Sequence, residues 1–301
     1  MMTHDQVELE RTPQVSGVIG SQDSSPKTIL VHLQSGDSVG SRLETALSLA
    51  RACAAHLECL HVTPIEAYTA FDSFGGVFIM TDVVKTLDEA QAGLRTEIEA
   101  KLRNEDVSWN YTEITGNVAS QLVGHAALAD LLVVGREPQN SDFAGSAVGL
   151  LGDLICRART PIFIPSDDPR PVDPTGVVLI AWDGSYEAAN AVRSSVGLLK
   201  LASSVHVFQI KEEKGEAFPG TRLLEYLSRH DIHAEYSAIE AGVDIGDQAV
   251  IADTLAARAK ALRADYLVMG GYSHSRIGEY VFGGVTRTML ATAPVPLLIA
   301  R

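Results

Sequence analysis

The chain has little cysteine and no long apolar run. Its three cysteines, Cys53, Cys59 and Cys156, are spread over 301 residues. The number is odd, no CxxC spacing occurs, and all three sit in apolar or helical surroundings. Reduced packing residues are therefore expected, not disulfides, zinc ligands or nucleophiles. Apolar runs such as Ile29 to Leu33 and Tyr266 to Met269 fall far short of the ~20 residues that a membrane span needs. The first 26 residues are polar and lack an apolar core of signal-peptide length, so a flexible lead-in and a soluble, cytoplasmic protein are expected. Cations are also scarce: 24 Lys and Arg face 38 Asp and Glu, a formal net charge of −14. Such a balance repels phosphate backbones and anionic lipid, and no basic patch is visible along the sequence. Neither nucleic acid nor membrane is an expected partner.

What is present is a globular composition, 46% apolar and 21% charged, with enough residues for two domains that each bury a core. The segment Ser166 to Pro174 holds three prolines and three aspartates, which cannot continue a helix or a central strand. It divides the chain into residues 27–165 and 175–301, after the lead-in of residues 1–26. The same order of elements is predicted on both sides. Lys27 to Leu33 and Val177 to Trp182 are β-rich runs with little alternation, as in strands buried on both faces of a parallel sheet. Helices follow at Val39 to Ala55 and Tyr186 to Leu201. Second strands are predicted at Leu57 to Val62 and Ser204 to Ile210, and third strands at Trp109 to Ile114 and His233 to Ile239. The first half alone carries an extra apolar stretch, Tyr68 to Met80, and a long helical segment from about Asp82 to Arg103. The alternation predicts two tandem α/β domains, each a doubly wound, Rossmann-like parallel sheet.

A repeat underlies this order. Residues Ala129 to Pro165 align without a gap on Ala264 to Ala300, at an offset of 135, and nine of the 37 positions are identical. Among them are the Ala-Asp that opens the fourth strand, the glycine that ends it (Gly135 and Gly270) and the proline before the last strand (Pro161 and Pro296).

In such sheets ligands sit beyond the carboxyl ends of the strands. Two loops of the second half are informative. In Ala181-Trp-Asp-Gly-Ser185 a strand ends at an acid, and Asp183 or Ser185 can equally be a helix cap. The second loop runs from Met269-Gly-Gly-Tyr-Ser-His-Ser-Arg-Ile-Gly278 to Gly283-Gly-Val-Thr286, where a helix begins. Its glycines allow close backbone approach to a phosphate, and helix-end amides supply donors; turns that merely cap a strand and a helix are the alternative. Arg276 can neutralise a phosphate or face solvent, and His274 reads more simply as a surface histidine. No Walker-type lysine follows and no pair of magnesium-binding acids stands out, so efficient phosphoryl transfer has little support.

These residues resemble the universal stress protein family, whose loop pattern is G-x2-G-x9-G followed by Ser or Thr, with an aspartate at the end of the first strand. The resemblance extends over both halves, and a tandem form is known in that family. It implies that Asp183 lies near adenine, that Ile210 packs on the base, and that Met269, Gly270, Ser273, Gly283, Gly284, Val285 and Thr286 surround ribose and phosphates. The implied ligand is ATP or AMP, with magnesium as its companion. Two departures stand out: Ser273 occupies the second glycine position, and Gly284 the usual Ser or Thr.

The first half has lost the pattern. Gly135 remains, but Pro138, Val148 and Leu151 replace Ser273, Gly283 and Thr286, and Gln34 stands near the position of Asp183. No ATP is expected there. Gly145, Ser146 and Gly149 can be read as a shifted phosphate loop or as a turn before a helix. Family members dimerise through their last strands, here Pro161 to Ile164 and Pro296 to Ala300. The two halves are therefore expected to pair as an intramolecular pseudo-dimer, with a homodimer as the alternative. The function classes left open are a nucleotide-binding stress regulator with a protein partner, a nucleotide-independent interaction or small-ligand protein, and a slow ATPase.

Overall fold

A computed structural model describes residues 25–34, 39–65, 69–71, 77–79, 81–136, 147–167, 170–211, 218–240, 248–271 and 284–301. In the first half, strands β1 (Thr28–Leu33) and β2 (His56–Pro64) flank helix α1 (Val39–Cys53). A two-stranded hairpin, β3 (Thr69–Phe71) and β4 (Val77–Ile79), precedes α2 (Thr81–Leu102). Then come β5 (Trp109–Gly116), α3 (Val118–Ala126), β6 (Leu131–Val133), α4 (Ala147–Arg157) and β7 (Ile162–Ile164). The second half repeats the order without the hairpin. It runs β8 (Val177–Trp182), α5 (Tyr186–Leu199), β9 (Ser204–Lys211), α6 (Gly220–Arg229), β10 (Ala234–Glu240), α7 (Gln248–Leu262), β11 (Tyr266–Gly270), α8 (Gly284–Thr292) and β12 (Leu297–Ala300).

The repeat-shared residues have visible work in the backbone. The aspartate that opens the fourth strand ties down the start of the first strand in both halves. Asp130 Oδ2 accepts from the amides of Lys27 and Thr28 at 2.8 and 3.0 Å, and Asp265 Oδ2 accepts from Val177 at 2.7 Å. The carbonyls of Pro161 and Pro296 each accept the first ladder bond of the neighbouring strand, from Leu132 at 3.0 Å and Leu267 at 2.9 Å. A proline suits this place because it lacks an N–H but keeps its acceptor.

The two halves share one sheet of ten strands, in the order β10-β9-β8-β11-β12-β7-β6-β1-β2-β5. Within this sheet every ladder of either half is parallel. The two last strands meet antiparallel, with Leu297 opposite Ile164, Leu298 opposite Phe163 and Ile299 opposite Ile162. These six side chains are essentially fully buried. Phe163 also meets the Tyr266 ring at 5.7 Å between centroids, so aromatic contact crosses the seam as well.

Two cores lie on opposite faces of the sheet. One gathers Ile29, Val31 and Leu33 with α1, α2, α5 and α6; the other gathers Leu30, Leu60 and Val62 with α3, α4, α7 and α8. Because both cores run through both halves, neither face is left bare at the seam. The segment after β7 has neither helix nor strand where it is described, and it is docked on the first half: Ser48 Oγ donates to the Val172 carbonyl at 2.7 Å. Among the described residues no helix is long and apolar enough to cross a membrane. The cysteines are free thiols, and burial pushes Cys59 up to about 12, which removes it as a nucleophile near neutral pH.

Candidate functional site

The carboxyl end of β8 is shaped by a local turn. Asp183 Oδ1 accepts from the Ser185 amide at 2.9 Å, Gly184 takes φ 73°, and Ser185 Oγ accepts from Ala188 N at 3.1 Å as the N-cap of α5. The left-handed backbone at Gly184 is one a Cβ would resist. Capping therefore falls to Ser185, while Asp183 closes the turn and keeps an exposed side chain. Phe218 braces this turn from outside. Its amide donates to the Gly184 carbonyl at 3.1 Å, its carbonyl accepts from Trp182 Nε1 at 3.2 Å, and its ring meets Tyr186 edge-on at 4.9 Å.

β11 lies beside β8, with Val268 opposite Ile180, so Met269 and Gly270 end next to the Asp183 turn. Met269 is buried. A Cβ on Gly270 would lie 2.5 Å from Ala188 N and 2.7 Å from Glu187 C. The glycine thus lets the first turn of α5 press directly on the strand end. Gly271 follows in the same tight setting, between Ile155 of α4 and Ile299 of β12. On the other face of β9, Ile210 is half-buried at the edge of the second core, as is Val285 of α8. Thr286, also on α8, is 6% exposed.

Gly284 opens α8, and its amide donates to Gln248 Oε1 at 2.5 Å. Gln248 is the first residue of α7, and it fills the space that a Cβ at 284 would take. Nothing in the sequence marks Gln248 beyond its place at the head of a helix. Ser273, His274, Arg276 and Gly283 lie outside the described residues. The structure accordingly brings Asp183, Met269, Gly270, Ile210, Gly284, Val285 and Thr286 to one end of the C-terminal half.

The same end of the first half is filled differently. The Arg42 guanidinium lies where a Cβ on Gly135 would be, and its Nη1 donates to the His32 carbonyl at 2.8 Å. Arg42 and His32 are 2% and 1% exposed. Counted without a gap from the strand ends Gln34 and Asp183, their places in the second half belong to Ala181 and Ala191. Burial, with Arg42 and His61 adding to it, holds His32 well below the ordinary histidine value, and neither ring nitrogen has a partner. Leu151 is buried, Gly149 is exposed on α4, and Pro138, Gly145 and Ser146 lie outside the described residues. A polar residue within an otherwise apolar strand was the available sign of His32. Nothing local announced Arg42.

Among the described residues no cluster of His, Cys, Asp and Glu could hold a metal ion. The site gathers helix starts and strand ends at the carboxyl side of the sheet, where doubly wound α/β proteins bind ligands. Residues 175–301 match the model of the universal stress protein family. Over nearly its whole length the chain shares the fold of a universal stress protein from Archaeoglobus fulgidus DSM 4304. The two are 14% identical, with 93% of this chain and 99% of that one covered and a TM-score of 0.69. It also resembles a functionally unknown protein from Pseudomonas aeruginosa PAO1, at 16% identity, 92% and 93% coverage and a TM-score of 0.56. At these identities the likeness is one of fold. No curated protein matches the sequence.

Proposed function

We propose that the C-terminal half binds an adenine nucleotide, ATP or AMP, beyond the carboxyl ends of β8 and β11, and that the protein acts as a stress-response regulator whose partner contacts depend on that nucleotide. One observation carries this reading: α8 begins beside the strand end with its first amide held by an uncharged side chain. A phosphate oxygen is a stronger acceptor than a glutamine carbonyl, and a helix start favours it further.

In this reading Asp183 and Ile210 face the base and ribose. Met269, Gly270, Ser273, Gly283, Gly284, Val285 and Thr286 surround the rest, Arg276 supplies countercharge, and ATP brings magnesium with it. The buried Arg42 at the matching end of the first half supports the absence of ATP there. The β7–β12 seam supports a pseudo-dimer formed within one chain. Without a phosphate-binding lysine after the glycines, hydrolysis is slow at most.

A nucleotide-independent interaction protein is the second reading, favoured by the use of Gly270 for helix packing. Mass spectrometry of the denatured purified protein, followed by calorimetry with ATP and AMP, decides between them. Co-purified nucleotide or a saturable heat supports binding; a clean protein that gives no heat with either ligand leaves the second reading.

A further inference from the structure

A second crevice lies at the opposite end of β11. It is a cleft of about 490 Å³ between the segment that follows β7 and the amino ends of β11 and β12, and its lining includes Arg170, Lys260, Arg263 and Asp265. The volume falls within the ~300–1,000 Å³ range of small-molecule sites. β11 is five residues long, so a rise of ~3.3 Å per residue separates this cleft from the Gly270 end by roughly 15 Å.

Charge distinguishes it. Across the chain acids outnumber bases 38 to 24, yet among the described residues the lining carries three cations and one carboxylate. That carboxylate, Asp265, is already occupied by the Val177 amide at 2.7 Å. Among the described residues Lys260 and Arg263 carry no ion pair or side-chain hydrogen bond. They close α7, where the helix end contributes about half a negative charge, too little to cancel them. The sequence hides this cluster because its members come from two distant segments that only the fold unites.

A buried cation adds to it. The Arg136 side chain is 9% exposed, and its Nη1 donates to the carbonyl of Ala293, which precedes Pro294 of the lining. Its Nε and Nη2 have no partner. Its countercharge, the 87% exposed Asp167, stands 3.9 Å away. Pro171, Pro294 and Pro296 give the cleft rigid apolar walls. Because β7 and β12 run antiparallel, this is also the carboxyl end of the first half's strands, the side on which open sheets bind ligands.

We infer that the cleft beside Arg170, Lys260 and Arg263 is a second ligand site, for a small phosphorylated organic anion whose body rests on the proline walls. The site stands apart from the nucleotide crevice and does not depend on it.

Calorimetric titration of the full-length Gly283→Val variant with AMP and with inorganic phosphate tests the inference, since that substitution blocks the nucleotide loop and leaves the cleft intact. AMP is expected to bind at one site, more tightly than phosphate. Its affinity should fall about tenfold or more in Gly283→Val combined with Lys260→Glu and Arg263→Glu, and to a lesser degree with Lys260→Gln and Arg263→Gln. Added salt should weaken it. Absence of binding in Gly283→Val overturns the site, whatever wild type does. So does unchanged affinity in the charge-reversed protein, and equal affinity for AMP and phosphate overturns its organic character. A single AMP site in wild type, with the affinity seen in Gly283→Val, would count against the other crevice and leave this one standing.

Discussion

Gln248 and Gly284 face each other across the starts of two helices, the glutamine Oε1 accepting the glycine amide at 2.5 Å. In the nucleotide reading this contact must break for a phosphate to take the amide. A neutral hydrogen bond contributes about 0.5–1.5 kcal/mol net, so its removal should raise ligand affinity by roughly two- to tenfold. Gln248→Ala is expected to bind ATP that much more tightly by calorimetry. An unchanged or weakened affinity would show that the glutamine does not compete with ligand.

The glycine loop offers a sharper test of which half binds. Gly283→Val should abolish thermal stabilisation by ATP, while Gly149→Val, at the place of Gly284 in the degenerate half, should leave it intact. Thermal melts with and without saturating ATP measure both. Equal effects of the two substitutions would mean that the halves have been given the wrong roles.

The strand-end glycines differ in what they touch, and their alanine variants should differ accordingly. At Gly270 a Cβ first meets the backbone of Glu187 and Ala188; at Gly135 it first meets the Arg42 side chain. Backbone yields less readily than a side-chain end. Gly270→Ala should cost about 1–3 kcal/mol, as overpacking does, and Gly135→Ala less. Urea unfolding midpoints rank them, and the reverse order would contradict the packing described.

Acid sensitivity follows from His32. Its folded-state pKa lies well below the ordinary 6.5 because burial, Arg42 and His61 all oppose the charged ring. The unfolded chain therefore binds the proton more readily. The resulting stability is present in full above the unfolded value and is lost as pH falls below it, by up to about 1.4 kcal/mol per pH unit until the folded value is reached. His61, lowered mainly by its own burial and partly offset by Glu113, adds in the same direction. His32→Leu should flatten the decline in stability between pH 6.5 and 5 and, by removing two unpartnered ring nitrogens, should not destabilise the protein at pH 8. Denaturant melts across that range give the slope, and an unaltered slope would exclude His32 as its source.

Much of the fold was legible because its signals are local. β1, β2, β5 and β8 to β12 begin or end within two residues of the expected positions, since parallel strands buried on both faces appear as short apolar runs between polar turns. The repeat was legible at Asp130 and Asp265 for a reason the structure supplies: each aspartate bridges to the first strand of its own half. The hairpin within the Tyr68 to Met80 stretch was not foreseen as strands, because three-residue runs carry no periodicity. At the candidate site, Asp183 and Gly270 were visible as residue types at strand ends, but their contacts were not. Gln248, Arg42 and Phe218 act through neighbours distant in sequence, and no spacing rule reaches them.

The antiparallel seam between β7 and β12 has an outward consequence. A half-turn relates the halves, so the end at which Gly270 stops and the end at which Arg42 is buried look out from opposite sides of the molecule. A single flat partner surface can meet one of these sides or the other, never both together. Whatever signal the C-terminal crevice carries would be presented in one direction, and the first half would offer its own face to something else.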